Sequence, residues 1–182
     1  MRQRSPLLFI ALSTLIWFSA CSKTTSGPTT TSVPATPNGS PATTGPVSSV
    51  SFVRASASEV QIPGGGSAEA TVRVTMQSGY HINANPASDS YLRATELTVQ
   101  TADGVSVAFV TYPTAITKTF SFAKKPLAVY EGEAVIKVTL KAANSAPKGQ
   151  RSFAAKLNVQ ACDDQVCYAP GRIDLSIPVT VK

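Results

Sequence analysis

The chain has 182 residues, enough for one domain and not comfortably for two, and its 43% hydrophobic content is ordinary for a soluble globular protein. Charge is sparse, with 16 basic against 10 acidic residues. Lys124-Lys125 is the one basic doublet in the part that reads as folded, and no Arg/Lys stripe with interleaved aromatics occurs, so no nucleic-acid partner is expected.

The chain opens on a targeting segment. Arg2 and Arg4 form a positive start, and Leu7 to Phe18 is an apolar run of secretory length, too short to anchor across a bilayer. Phe18-Ser19-Ala20-Cys21 resembles the bacterial lipobox, in which the cysteine is lipidated and becomes the new N-terminus; Phe18 stands where leucine is usual. Residues 1–20 are therefore expected to be a lipoprotein signal peptide and Cys21 the lipidation site, with a plain signal peptide cut nearby as the alternative. Losing the leader removes Arg2 and Arg4 and lowers the formal net charge of +6 by two. Ser22 to Pro46 is built from Ser, Thr, Pro, Gly and Ala, which cannot bury enough surface to offset its ordering entropy. Residues 21–47 read as the lipidated cysteine and a disordered tether of roughly 25 residues, and a glycosylated stalk would use the same composition.

From there to Lys182 the pattern has period two. Ala70, Val72, Val74 and Met76 alternate with Thr71, Arg73 and Thr75, and Ala134, Ile136, Val138 and Leu140 alternate with Val135, Lys137, Thr139 and Lys141. Phe153, Ala155, Leu157 and Val159 form a third such run, and Ile173, Leu175, Ile177, Val179 and Val181 a fourth. Weaker strands are expected at Val50–Ala55, Glu59–Ile62, Thr95–Thr101, Val105–Tyr112 and Leu127–Tyr130. Turn signals separate them at Pro63-Gly64-Gly65-Gly66, Asp103-Gly104, Glu131-Gly132 and Pro147-Lys148-Gly149. No helical stripe appears. Residues 48–182 are expected to form an all-β, immunoglobulin-like β-sandwich. Pro178 puts the last strand at an edge or bulge, since proline cannot donate to a ladder. The segment from Gly79-Tyr80-His81-Ile82-Asn83 to Tyr91-Leu92 is less regular and reads as a loop across one end.

Chemistry concentrates at Gln160-Ala161-Cys162-Asp163-Asp164-Gln165-Val166-Cys167-Tyr168. In an oxidising compartment Cys162 and Cys167 are expected to form a disulfide. Closing so short a ring contributes about 2 kcal/mol by chain entropy, and residues 48–182 can bury a core without it. Asp163 and Asp164 place negative charge beside the sulfurs and disfavour thiolate. Redox exchange, a structural staple and metal binding all remain open from spacing alone. A two-cysteine metal site needs further ligands. The chain offers His81, which in a loop is read as a hydrogen-bonding residue, and Met76, which alternation places in the core. No metal and no cofactor are expected.

The same stretch resembles the "YQAC-D-x-x-x-C-Y-P-P" signature of the N-terminal periplasmic domain of the thiol:disulfide interchange protein DsbD. Gly79-Tyr80-His81-Ile82-Asn83-Ala84, Tyr91-Leu92 with Thr95-Glu96-Leu97, Tyr112-Pro113 and Val129-Tyr130-Glu131-Gly132 are similar to further motifs of that family in the same order. The resemblance implies an immunoglobulin-like sandwich that passes electrons through Cys162 and Cys167. Its partners would be a thioredoxin-like or DsbD-type membrane redox protein and oxidised periplasmic proteins, on the periplasmic side of an inner or outer membrane. It implies that Cys162 bonds to partners. It also implies an aromatic cap over the disulfide from the loop Thr119–Pro126, with Phe122 the first candidate and Phe120 the second, beside Tyr168, Asp163 and Asp164. Two departures stand out: Val159 replaces a tyrosine and Ala169 a proline. The sequence ends at Lys182 without the eight-helix membrane part and C-terminal thioredoxin domain of full-length DsbD, so a stand-alone domain reduced by a separate partner is expected. A non-catalytic envelope binding module with a structural disulfide, or copper handling, would be the alternatives.

Overall fold

The computed structural model of the protein describes residues 46–182. The expected signal peptide, Cys21 and all but the last two residues of the 21–47 linker lie outside the described residues. In chain order the strands are β1 (Val53–Ala57), β2 (Val60–Ile62), β3 (Ser67–Met76), β4 (His81–Asn83), β5 (Glu96–Val99) and β6 (Val105–Thr111). They continue with β7 (Ile116–Lys118), β8 (Leu127–Glu131), β9 (Glu133–Ala142), β10 (Gly149–Val159), β11 (Ala161–Cys162) and β12 (Gly171–Val181).

Two four-stranded sheets, β1-β3-β9-β6 and β2-β12-β10-β5, make an immunoglobulin-like sandwich. The four alternating runs of the sequence are its long strands β3, β9, β10 and β12. Their apolar faces meet in one core, in which Val72, Val74, Ile136, Val138, Leu140, Leu157, Ile177 and Val179 are fully buried. Each such side chain contributes about 1.5–3 kcal/mol on burial, so the body has a source of stability independent of any disulfide. Asp103 and Gly104 both take positive φ, 53° and 75°, in the turn before β6. Asp tolerates that region and Gly adopts it freely, which is why this dipeptide marks the turn. Pro178 lies where β12 pairs only with β10, because β2 joins β12 from Val179 onward.

A third sheet, β11-β4-β8-β7, lies at the end of strands from both others. Gln160 alone separates β10 from β11, and Gly132 alone separates β8 from β9. The site is therefore carried on continuations of core strands.

Two expectations shift. The strand expected at Val50–Ala55 begins instead at Val53, because Ser49–Ser51 form a short 3-10 turn. Ser49 donates to Ala169 O twice, through its amide at 3.0 Å and its hydroxyl at 2.7 Å, and this draws the chain out of the strand direction. The segment expected as a loop across one end contains β4, whose His81, Ile82 and Asn83 are all buried. A strand buried on both faces shows no alternation to read.

Candidate functional site

Cys162 and Cys167 are joined by a disulfide with Cα atoms 3.9 Å apart. They face one another across a tight hairpin, closed by Tyr168 N donating to Ala161 O (2.9 Å) and Asp163 N to Val166 O (3.0 Å). The two sulfurs are not equivalent. Cys162 is 0% exposed on β11, whereas Cys167 is half-buried on the return limb. Cys167 is thus the more exposed of the two cysteines, whereas the resemblance implied Cys162 as the one that bonds to partners.

Asp163 organises the hairpin. Its Oδ1 accepts from the amides of Gln165 and Val166, each at 2.8 Å, and its Oδ2 accepts from the Tyr168 hydroxyl at 2.6 Å. This is an Asx turn with an additional tyrosine donor. The Tyr168 hydroxyl first, and the two amides next, hold the Asp163 carboxyl below its usual range; the same bond pushes the Tyr168 phenol well up. Asp164 is exposed and lies 3.5 Å from Lys118, which also pairs with Glu131 at 2.6 Å. The two acids expected merely to repel thiolate therefore have distinct tasks: one shapes the loop and the other faces a cation.

The hairpin stem is held from a place that sequence reading missed. The Ser49 hydroxyl accepts from Ala161 N (2.9 Å) before Cys162 and donates to Ala169 O after Cys167. Nothing in the composition of Val47-Ser48-Ser49 marks this serine. Gly171 leaves room for the clamp: a Cβ there would come within 2.6 Å of Val50 Cγ1 and 2.8 Å of Ser48 Oγ.

Aromatic rings flank the hairpin in two groups. Phe52, Tyr80 and Tyr168 form one, with Phe52 and Tyr80 stacked at 3.9 Å and Phe52 and Tyr168 centred 4.7 Å apart. His81, Phe120 and Phe122 form the other, stacked in series at 4.1 and 5.3 Å. Tyr80 and the adjacent His81 contribute one ring to each group. Phe120 is the inner ring at 4% exposure, and Phe122 is the half-buried outer ring. Both belong to a small apolar cluster with Leu92, Leu127 and Val129, against which Cys167 packs. The loop that carries them is tied to the hairpin by Ser121 Oγ donating to Asp164 O at 3.0 Å. Phe122 also borders a cleft of about 490 Å³ with Asp89, Tyr91, Lys124 and Lys125.

His81, expected in a loop, is the first residue of β4 and 0% exposed. It pairs in register with Cys162, and neither ring nitrogen has a hydrogen-bond partner. Burial first, and the Lys118 charge next, push its pKa down. Its neighbour Asn83 is tied in by Nδ2 bonds to Arg93 O (3.1 Å) and Gln160 Oε1 (3.0 Å). Among the described residues no cluster of three His, Cys, Asp or Glu side chains is placed to hold a metal ion.

The N-terminal domain of DsbD from Neisseria meningitidis, solved in its reduced form, is 19% identical, covering 72% of this chain and 87% of that one, with a TM-score of 0.45. The N-terminal periplasmic domain of ScsB from Proteus mirabilis is 16% identical, covering 70% of this chain and 45% of that one, with a TM-score of 0.46. The seventh ScaB type I cohesin from Pseudobacteroides cellulosolvens is 11% identical, covering 72% and 92% of the two chains, with a TM-score of 0.43. No curated protein matches the chain. The family described as the N-terminal domain of the thiol:disulfide interchange protein DsbD matches residues 50–176, from the turn before β1 to the middle of β12, and the chain belongs to that family.

Proposed function

We propose that the protein is a periplasmic, membrane-tethered thiol-disulfide exchange domain that carries electron pairs on Cys162 and Cys167. The observation that carries this reading is the disulfide itself. It closes a short hairpin at one end of a body whose main core is built mostly by the two large sheets, with Cys167 half-buried and Cys162 fully buried. Closing such a ring contributes only about 2 kcal/mol, so a staple is a poor account of it. Family membership supports the same chemistry.

In the oxidised form a partner thiolate attacks Cys167 Sγ. A mixed disulfide forms and Cys162 leaves as a thiolate that takes up a proton. The partner's second thiol then displaces Cys167, leaving the domain as a dithiol and the partner as a disulfide. Delivery to an oxidised envelope protein runs the sequence in reverse, with Cys167 attacking first and Cys162 resolving. Phe122 and Phe120 act as a lid that a docking partner displaces and that small thiols pass slowly. After removal of the residues 1–20 leader, lipidated Cys21 and the 21–47 linker would hold the 48–182 domain at the membrane within reach of a thioredoxin-like or DsbD-type donor.

The test is exchange with protein partners. Reduced thioredoxin-like protein is expected to convert the Cys162–Cys167 disulfide to the dithiol, and the dithiol domain to reduce a periplasmic disulfide protein in turn. A Cys162→Ser variant, which cannot resolve, is expected to accumulate a mixed disulfide through Cys167. A domain inert to both classes of partner, with a reduction potential below about −300 mV, would be a stapled binding module instead.

A further inference from the structure

We propose that His81 is the proton acceptor for Cys162 when that thiol resolves a mixed disulfide held on Cys167. The proposal rests on the exchange reading above and adds a residue that it does not use.

The placement of His81 is unusual in three connected ways. Its β4 position pairs with Cys162 on β11, and directly opposed residues share a face with Cβ atoms about 5 Å apart. Both residues are 0% exposed, so no solvent base stands beside the Cys162 sulfur. The ring stacks on Phe120, which occupies a face of the imidazole and leaves its nitrogen-bearing edge free. Neither nitrogen has a partner while the disulfide is closed. A buried polar group without a partner costs free energy. Reduction can supply what is missing, because it turns the cross-strand neighbour Cys162 into an S–H donor on the same face of the sheet.

His81 is the one buried side chain among the described residues that titrates near neutrality and could serve as the base. The other buried polar side chains among the described residues, Ser49, Asn83 and Thr95, do not titrate near neutrality. The charged groups around His81 are Lys118 on β7, Glu131 on β8, and Asp163 and Asp164 on the hairpin. Burial and Lys118 favour the neutral ring, whereas Glu131, Asp164 and Asp163 favour the protonated one. Burial prevails, so the ring is neutral at physiological pH with a lone pair available.

The step balances as follows. Cys167 thiolate has attacked an acceptor disulfide, releasing one acceptor thiolate. The Cys162 proton then passes to a His81 nitrogen, and the Cys162 thiolate attacks Cys167 Sγ. The Cys162–Cys167 bond forms, the bond from Cys167 to the acceptor breaks, and the second acceptor sulfur leaves as thiolate. It collects the proton from His81. Two electrons have moved from the cysteine pair to the acceptor.

Glutathione disulfide is the probe, because it reports this step without a protein partner. Reduced domain is mixed with it, and release of glutathione from Cys167 is followed by acid quench and mass spectrometry across pH. In the wild type, the release rate is expected to fall with protonation of a group below the ordinary histidine value of 6.5. His81→Phe keeps a ring on Phe120 and removes both nitrogens. It is expected to slow release at neutral pH by about tenfold or more and to abolish that inflection, with an unchanged or higher melting temperature. Should the variant fold poorly, the wild-type pH profile alone decides: an inflection at the thiol's own pKa and no other overturns the proposal. So does a folded His81→Phe variant that resolves at the wild-type rate. Failure of every protein partner to exchange would strike the exchange reading and leave the glutathione result standing on its own.

Discussion

The Tyr168 hydroxyl and the Asp163 carboxylate meet at 2.6 Å across the base of the hairpin that the disulfide closes. With the two backbone amides on Oδ1, Asp163 accepts three hydrogen bonds in a loop only four residues long between the cysteines. The loop conformation that presents Cys167 thus depends on a charge.

Asp163→Ala is accordingly expected to speed amide exchange at Gln165 and Val166 by roughly tenfold, from the loss of charge-assisted bonds, and to leave the sandwich intact. Asp163→Asn keeps an acceptor for both amides and is expected to change exchange less. The acid limb follows the sign of the shift. A carboxyl whose folded pKa is depressed adds stability that is fully present above the ordinary aspartate value of 3.8 and is lost as pH falls through its lower folded value. NMR shifts of the Gln165 and Val166 amides are expected to titrate in that window.

His81 gives a second, separate pH dependence. Its folded pKa is lowered, so the unfolded chain takes up the proton first as pH falls below the ordinary value of 6.5. Stability attached to the neutral ring is complete above that pH and declines below it until the folded value is reached. Thermal melts of the wild type are expected to drop between pH 7 and pH 5 (about one unfolded-state titration), and the drop is expected to vanish in His81→Phe. A drop that persists in the variant assigns the dependence elsewhere.

The long strands were legible because one face of each is wet. In β9 Ala134, Ile136, Val138 and Leu140 alternate with Val135, Lys137 and Thr139, and the four on the core face are all buried. In the end sheet β8 was expected at Leu127–Tyr130, but β4 and β11 were not legible, for the opposite reason. His81, Ile82 and Asn83 have no solvent face, so period two disappears, and β11 is a two-residue strand. The cysteine pair was legible as chemistry because of its residue types. Its supports were not, because they come from far along the chain: Ser49 lies 112 residues from Ala161, and Gln160 Oε1 accepts from Arg93 N 67 residues away. Local spacing contains no record of such contacts. Asp163 was read only as charge beside the sulfurs, and its position at the head of a tight turn is the signal that could have marked it as the cap of the loop.

Ser49 makes the third prediction. Its hydroxyl is the partner of the Ala161 amide, and the serine is 0% exposed. Ser49→Ala strands that buried N–H, while Ala169 O keeps the bond from Ser49 N. The expected cost is about 1–3 kcal/mol, read as a lower urea midpoint with an unchanged m-value. A midpoint within error of the wild type would remove Ser49 as the clamp of the hairpin stem.

Reduction of the disulfide is expected to be mild by comparison. The closed ring is short, and the main core lies in the two large sheets. The dithiol domain is expected to remain folded and to lose only about 2 kcal/mol against the disulfide form in urea. Unfolding on reduction would mean that the bond holds the fold.

The two phenylalanines separate packing from shielding. Phe120 is the inner ring, pressed between His81 and Phe122 within the Leu92–Leu127–Val129 cluster. Phe120→Ala opens a cavity there and is expected to cost about 3–5 kcal/mol. Phe122 is half-buried, so Phe122→Ala is expected to cost less, about 1–2 kcal/mol, since less apolar area returns to water. Reactivity is expected to run the other way. Phe122 and Cys167 pack against the same cluster, so removing the outer ring is expected to open the way to Cys167, and small thiols such as dithiothreitol to reduce the Phe122→Ala domain severalfold faster than the wild type. Equal rates in the two proteins would show that Phe122 shields nothing, and that the lid, if there is one, is Phe120 alone.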